Sequence, residues 1–327
     1  MGSVGLVLGA GGAVGRAFHV GALAALEEVT GWDPRDARVV AGTSAGSIVG
    51  ALLRAGMGAR DYCAWTVGEP VSAEGAAILL RFGGRSLPPT PRERPASWRP
   101  AAPRLLLRAA ARPWRFRPGA LAAAAMPEGA IRLDGLVEGF EATFGSAWPE
   151  RPLWVCAVSL ESGARVVFGR EGEPPATVAE AVAASCAIPG WFAPVRVGGV
   201  RYVDGGAHSL TNADVLAPLG LDLVVVCSTM SAEAPAWKPS VDGALRSVAH
   251  LQLRRACARL RAAGARTLVL EPDEGDVRAM GRLKDAMDPA RRTAVARHVR
   301  GSMRERLRAS PEAELLRDLA RPARARS

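Results

Sequence analysis

Apolar positions fall along this chain in short runs, each followed by a glycine turn and then a stretch of helical period. Val4–Leu8 is a continuous apolar run, which predicts a buried strand. It opens into Gly9-Ala10-Gly11-Gly12-Ala13-Val14-Gly15, after which Val20, Leu23, Ala24 and Leu26 recur on one helical face as far as Gly31. A second apolar run begins at Val39. It feeds the turn Gly42-Thr43-Ser44-Ala45-Gly46, and Ser47 to Ala55 continues with helical character. Further on, Leu153–Leu160, Arg165–Phe168, Val195–Val203, Leu223–Thr229 and Arg266–Glu271 read as strands. Ala176–Ala187, Val241–Ala263 and the basic chain beyond Pro289 read as helices, and Ala320–Ser327 as a frayed end. Apolar strands alternating with helices predict an α/β fold of three layers, with helices on both faces of a mostly parallel sheet.

Two of the turns carry candidate chemistry. Gly42-Thr43-Ser44-Ala45-Gly46 is G-x-S-x-G between a strand and a helix, the setting in which such a serine stands exposed on a sharp turn as a nucleophile. Gly42 and Gly46 permit the tight turn. The alternative is an ordinary Gly/Ser connection. The first glycine loop ends at a helix N-terminus, where unpaired N–H groups attract negative charge. As a dinucleotide fingerprint it is imperfect, since G-x-G-x-x-G counted from Gly9 meets Val14. The other reading is an oxyanion hole beside Ser44, because both loops leave neighbouring strands at one sheet edge.

Asp204 ends the Val195–Val203 strand on the turn Gly205-Gly206, either as a catalytic carboxylate or as a hairpin turn. A Ser–Asp–His triad would draw on His208, His250 or His298. His250 and His298 fall in basic helices and read as packing or solvated residues, His208 as a turn residue. His19, close to the glycine loop, reads as packing with the pocket as its alternative. Trp191 and Phe192 either wall an acyl channel or pack in the core.

Residues from about 58 to 130 differ in character. Trp98, Trp114 and Phe116 lie among Arg94, Arg99, Arg104, Arg108, Arg112, Arg115 and Arg117, with Pro103–Ala111 a candidate amphipathic helix. This reads as a loosely packed insertion, or as a lid that meets a membrane with arginine on phosphate and tryptophan at the interface. The formal net charge of +10 is carried almost wholly by arginine and suits an anionic partner, a phospholipid surface or nucleic acid. No nucleic-acid-binding motif accompanies it. The five cysteines are scattered, without a C-x-x-C pair, which argues for a reducing compartment and against a zinc site. No basic, apolar leader, myristoylation signal or spanning apolar run is present, so the expectation is a cytoplasmic protein able to touch a membrane peripherally.

Four stretches in order, LVLGAGGAVG, GTSAGS, ASCAIPGWFAPV and DGGAHSLTNADVLAP, together resemble the patatin-like phospholipases over most of residues 4–230. The resemblance implies a domain over residues 1–275 with the insertion as its lid or cap, and a basic helical appendage over 276–327. It implies a Ser44–Asp204 dyad, with Gly11 and Gly12 as oxyanion-hole glycines and Gly9, Gly15, Gly42, Gly46, Gly205 and Gly206 supporting them. The implied activity is hydrolysis of lipid carboxylic esters, of phospholipase A or lysophospholipase type, with no metal or organic cofactor. Positions 10 and 14, usually Gly and Arg or Lys in the family, are Ala10 and Val14 here, which leaves Arg16 as the nearest cation to hold the loop. Two alternatives stand beside this reading. One keeps the fold for an acyltransferase or a soluble-ester or thioester hydrolase. The other is a non-enzymatic nucleotide- or nucleic-acid-binding protein.

Overall fold

The computed structural model describes residues 2–83, 98–232 and 241–320. Arg94 and the tail beyond residue 320, both singled out above, lie outside the described residues. The strands are β1 (Val4–Leu8), β2 (Val39–Thr43), β3 (Leu153–Ser159), β4 (Arg165–Phe168), β5 (Val195–Val197), β6 (Val200–Asp204), β7 (Leu223–Cys227) and β8 (Arg266–Leu270). They form one sheet in the order β5-β6-β3-β2-β1-β7-β8, with β4 also paired to β3. Pairing is parallel from β3 through β2, β1 and β7 to β8, and antiparallel where β4, β5 and β6 join.

Alternate residues of the central strands enter two separate cores. Leu6 and Leu8 of β1, Val40 of β2, Val155 of β3 and Val225 of β7 face one. Val7, Val39, Ala41, Cys156, Val224 and Val226 face the other. Both sheet faces are therefore covered, which is why these strands read as unbroken apolar runs. The first face carries α1 (Gly12–Thr30), α2 (Ala45–Arg54), α3 (Ala59–Val67), α4 (Ala73–Phe82), α7 (Asp134–Phe144) and α8 (Val178–Cys186). The second carries α9 (Val241–Ala262) and the 3₁₀ turn Ala213–Leu219.

The sequence-defined insertion divides in two. Its first half, α3 and α4, buries Tyr62, Cys63 and Phe82 in the main core. Its second half, α5 (Pro103–Ala111) and α6 (Pro118–Ala125), packs Leu105, Ala120, Ala123 and Ala124 on Val158, Leu160 and Val203 at the sheet edge. Beyond residue 275 the chain continues through α10 (Glu274–Met280), α11 (Arg292–Arg308) and α12 (Pro311–Ala320). The segment read as an appendage packs closely: Val295, Ala296, Val299, Met303 and Leu307 of α11 enter the same core as α1. Its basic composition lies on the outer face, where Arg300 pairs with Glu28.

The run Val195–Val203, read as one strand, is a hairpin. Gly198 and Gly199, at φ 56° and 83°, turn the chain between β5 and β6. Two residues of positive φ give the twist that a two-residue hairpin needs, and glycine takes them without steric cost. Among the described residues no helix is long and apolar enough to cross a membrane.

Candidate active site

The register of β3 explains why Ser44 and Asp204 meet. Val155 and Cys156 pair with Gly42 and Thr43 on one side and with Phe168 and Val167 on the other. Ala157 and Val158 pair with Asp204 and Val203, and again with β4. A strand has only two edges. Hence β6 takes up the edge of β3 that β2 leaves, runs the opposite way, and meets β2 end to end. Ser44 follows the last residue of β2, and Asp204 is the last residue of β6.

Ser44 sits at φ 52° and ψ −121°, a backbone state that a residue with a Cβ rarely adopts. The turn holds it there. A Cβ on Gly42 would lie 2.5 Å from the Ser47 Cα, and one on Gly46 would lie 2.1 Å from the Leu8 carbonyl oxygen. The Ser44 N–H donates to the Ser185 hydroxyl at 2.8 Å, and that hydroxyl donates onward to the Cys156 carbonyl at 2.7 Å. The Ser47 hydroxyl donates to the Ser44 carbonyl at 2.7 Å. Strain of this kind, of order 1–3 kcal/mol, persists only where surrounding bonds fix it.

Asp204 is buried, and its Oδ1 accepts the Gly206 N–H at 2.7 Å. Burial pushes its pKa up to about 6, against the lowering effect of hydrogen bonds from the Ser44 hydroxyl and the Gly206 amide. The turn after it is lashed to β2 by the buried Asn212, whose amide donates to the Thr43 hydroxyl at 3.1 Å and to the Gly205 carbonyl at 3.2 Å.

The glycine loop between β1 and α1 is held by its own neighbours. Gly9 N–H donates to the Cys227 carbonyl at 3.0 Å, Ala10 N–H to the Leu210 carbonyl at 2.7 Å, and Thr229 Oγ1 to the Ala10 carbonyl at 2.6 Å. The Gly9 carbonyl accepts two donors, Gly46 N–H at 3.2 Å and His19 Nε2 at 2.7 Å. His19 is fully buried and its pKa is pushed down to about 4, so the ring is neutral at pH 7. A carbonyl oxygen can only accept, so Nε2 carries the proton and Nδ1 takes the Cys227 thiol, 3.0 Å away. Val14 N–H is paired with the Ala286 carbonyl and Gly15 N–H with the Gly11 carbonyl. The N–H groups of Gly11 and Gly12 make no hydrogen bond among the described residues. Arg16 lies one turn into α1, buried near the Tyr62 hydroxyl and Arg292, and the hydrogen bonds given above tie the loop to Thr229, His19 and Ala286.

Gly11, Gly12, Ser44, Asp204 and Gly206 line one cavity of about 330 Å³. Its walls are apolar: Ala122 and Met126 after the start of α6, Ile188, Trp191, Leu210, Met230 and Met287. Trp191 thus lines the cavity, whereas its neighbour Phe192 is core, buried beside Ile131, with which it forms a bridge. Among the described residues no histidine lines it. His250 pairs with Glu271 at 2.9 Å, and His298 is half exposed beside Asp276. His208 is kept neutral, its pKa pushed down to about 4 by burial and by Arg165 and Arg117. Ser185, Thr229 and Met287 carry no signal of their own in sequence. The first two stand out only as polar residues inside apolar runs.

The family model of the patatin-like phospholipases matches residues 6–217, well over half of the chain. Among solved structures, the crystal structure of VipD from Legionella pneumophila is similar at a TM-score of 0.42 and 14% identity, covering 98% of this chain and 67% of that one. With the match running from β1 through the turn after Asp204, the chain belongs to the patatin-like phospholipase family.

Proposed function

We propose that this protein is a serine acyl hydrolase of lipid carboxylic esters, of phospholipase A or lysophospholipase type, with Ser44 as nucleophile and Asp204 as general base. The observation that carries the reading is a buried carboxylate, pKa about 6, bonded to the hydroxyl of a conformationally strained serine at the wall of an apolar cavity. A serine hydroxyl attacks only as its proton leaves. A carboxylate of pKa about 6 is ionised at pH 7 and is a stronger base than an exposed aspartate.

Ser44 Oγ bonds to the ester carbonyl carbon while its proton passes to Asp204. The carbonyl π electrons move to oxygen, and the N–H groups of Gly11 and Gly12 receive that charge. Such donors are worth about 3–4 kcal/mol each where they are aimed at the oxyanion. The tetrahedral species collapses, the alcohol leaves with the proton from Asp204, and the acyl group stays on Ser44. Water then adds to the acyl carbon, giving its proton to Asp204, and the fatty acid leaves as the Ser44 oxygen takes the proton back. The alkyl chain occupies the groove walled by Trp191, Met126, Met230 and Met287, and the substrate is met at a lipid surface.

The test is labelling by a fluorophosphonate serine probe, with hydrolysis of a lipid-ester panel. Label on wild type and His250→Ala, absent in Ser44→Ala and much reduced in Asp204→Ala, is the expected pattern. Undiminished label in Ser44→Ala overturns the assignment, and loss in a folded His250→Ala points to a triad.

A further inference from the structure

We propose that the outer face of residues 98–117 is a docking surface for an anionic phospholipid bilayer. The inference rests on the lipid-ester reading and adds to it the surface from which substrate is drawn. Six arginines and no acidic residue lie between Trp98 and Arg117. In α5, Leu105 and Ala109 turn inward onto Val158, Leu160 and Val203. Arg104, Leu107, Arg108, Ala111 and Arg112 are all exposed, and their spacing of three and four makes them one outward stripe. Three large apolar side chains here face water: Trp98 is 80% exposed, Leu107 74% and Trp114 78%.

This combination is costly for a helix that meets only water. Arg104 stands in the first turn of α5, which has no acid, so its charge opposes the helix dipole. Arg104, Arg112 and Arg115 make no ion pair among the described residues, and the carboxylates Glu128 and Glu161 are both engaged by Arg201. Arg108 reaches the Glu161 backbone carbonyl. Guanidinium groups beside exposed tryptophan and leucine fit the phosphate and upper acyl layers of a bilayer. The stripe is also joined to the cavity. The chain runs from Trp114 directly into α6, where Gly119, Ala122 and Ala123 line the same cavity as Ser44. A bilayer seated on α5 therefore contacts the segment that leads straight into the α6 wall of the cavity.

The test is co-sedimentation of the full chain with vesicles of phosphatidylcholine alone or mixed with phosphatidylglycerol. The variants are Arg104→Ser/Arg112→Ser/Arg115→Ser, Trp114→Ala and Ser44→Ala, each checked for an unchanged melting temperature. Wild type and Ser44→Ala are expected to bind the mixed vesicles and to release them in high salt. Each arginine removed near a charged surface weakens partitioning about five-fold, so the triple variant loses about 100-fold. Trp114→Ala weakens binding to both vesicle types, and hydrolysis of a soluble short-chain ester is unchanged in the triple variant. Equal binding to neutral and anionic vesicles, or wild-type binding by the triple variant, overturns the proposal. So does binding of duplex DNA or RNA with no binding of either vesicle. Anionic-vesicle binding without ester hydrolysis by wild type supports the docking face and overturns the hydrolase reading instead.

Discussion

The Ser185 hydroxyl accepts the Ser44 amide at 2.8 Å and donates to the Cys156 carbonyl at 2.7 Å. One buried side chain from α8 thus ties the strained turn of β2 to the strand between β2 and β4. Ser44 could not hold φ 52° on local preference.

Ser185→Ala leaves a buried N–H and a buried carbonyl without partners. The expected loss is about 1–3 kcal/mol of stability. The labelling rate of Ser44 should fall further than that loss alone would produce, because the turn relaxes. Thermal melting and probe kinetics on the same sample separate the two effects, and Ser185→Thr should recover both in part.

Under the proposed mechanism the pKa of Asp204 sets the acid limb of activity. With the carboxylate needed as base and titrating at about 6, kcat/KM for a soluble ester should rise with pH through that value and level off above it. A limb near the ordinary value for aspartate would remove Asp204 as the base.

The same shift makes a prediction about stability. A carboxyl whose folded pKa is raised holds its proton better in the folded state, so stability falls as pH rises from about 4 to about 6. His19 and His208, with folded pKa values of about 4, act in the opposite sense, adding stability as pH rises toward 6.5. The difference between Asp204→Asn and wild type isolates the carboxyl. It should be near zero below pH 4 and reach on the order of 2–3 kcal/mol in favour of the inactive variant above pH 7. Denaturant melts at pH 4, 6 and 8 provide the measurement.

His19 holds the glycine loop through the Gly9 carbonyl, which also accepts the Gly46 amide of the serine turn. In His19→Leu that carbonyl loses its shorter bond, and Ser44 labelling should slow by about 10–100-fold for a loss of about 1–3 kcal/mol. His19→Gln keeps an N–H at the same reach and should stay within a few-fold of wild type. Equal losses in both variants would make His19 a packing residue alone.

Much of this was legible in the residues. The glycine loop, the G-x-S-x-G turn and the Asp-Gly-Gly turn are local devices, and each sits where its own backbone demands it. The hairpin at Gly198-Gly199 is marked in the sequence by its two glycines and by the change of phase between Val197 and Val200, but its first arm is only three residues long and reads as part of one run. The function of α3 and α4 in the core was hidden by the arginine-rich stretch that follows them. Their buried Tyr62, Cys63 and Phe82 form no long apolar run. The roles of Ser185, His19, Thr229 and Asn212 depend on partners 10 to 219 positions away, which only the fold brings to them.

The end-to-end meeting of β2 and β6 has a consequence for synthesis. The glycine loop and the turn that carries Ser44 precede Asp204 by more than 150 residues, so the proposed base arrives only when β6 closes on the free edge of β3. The cavity wall is later still, because Met287 comes beyond the last strand. A ribosome-bound fragment that stops short of residue 204 carries Ser44 without its proposed base. The order of the chain is its own safety catch: under the proposed mechanism, lipid-ester cleavage becomes possible only after the sheet and the cavity wall are in place.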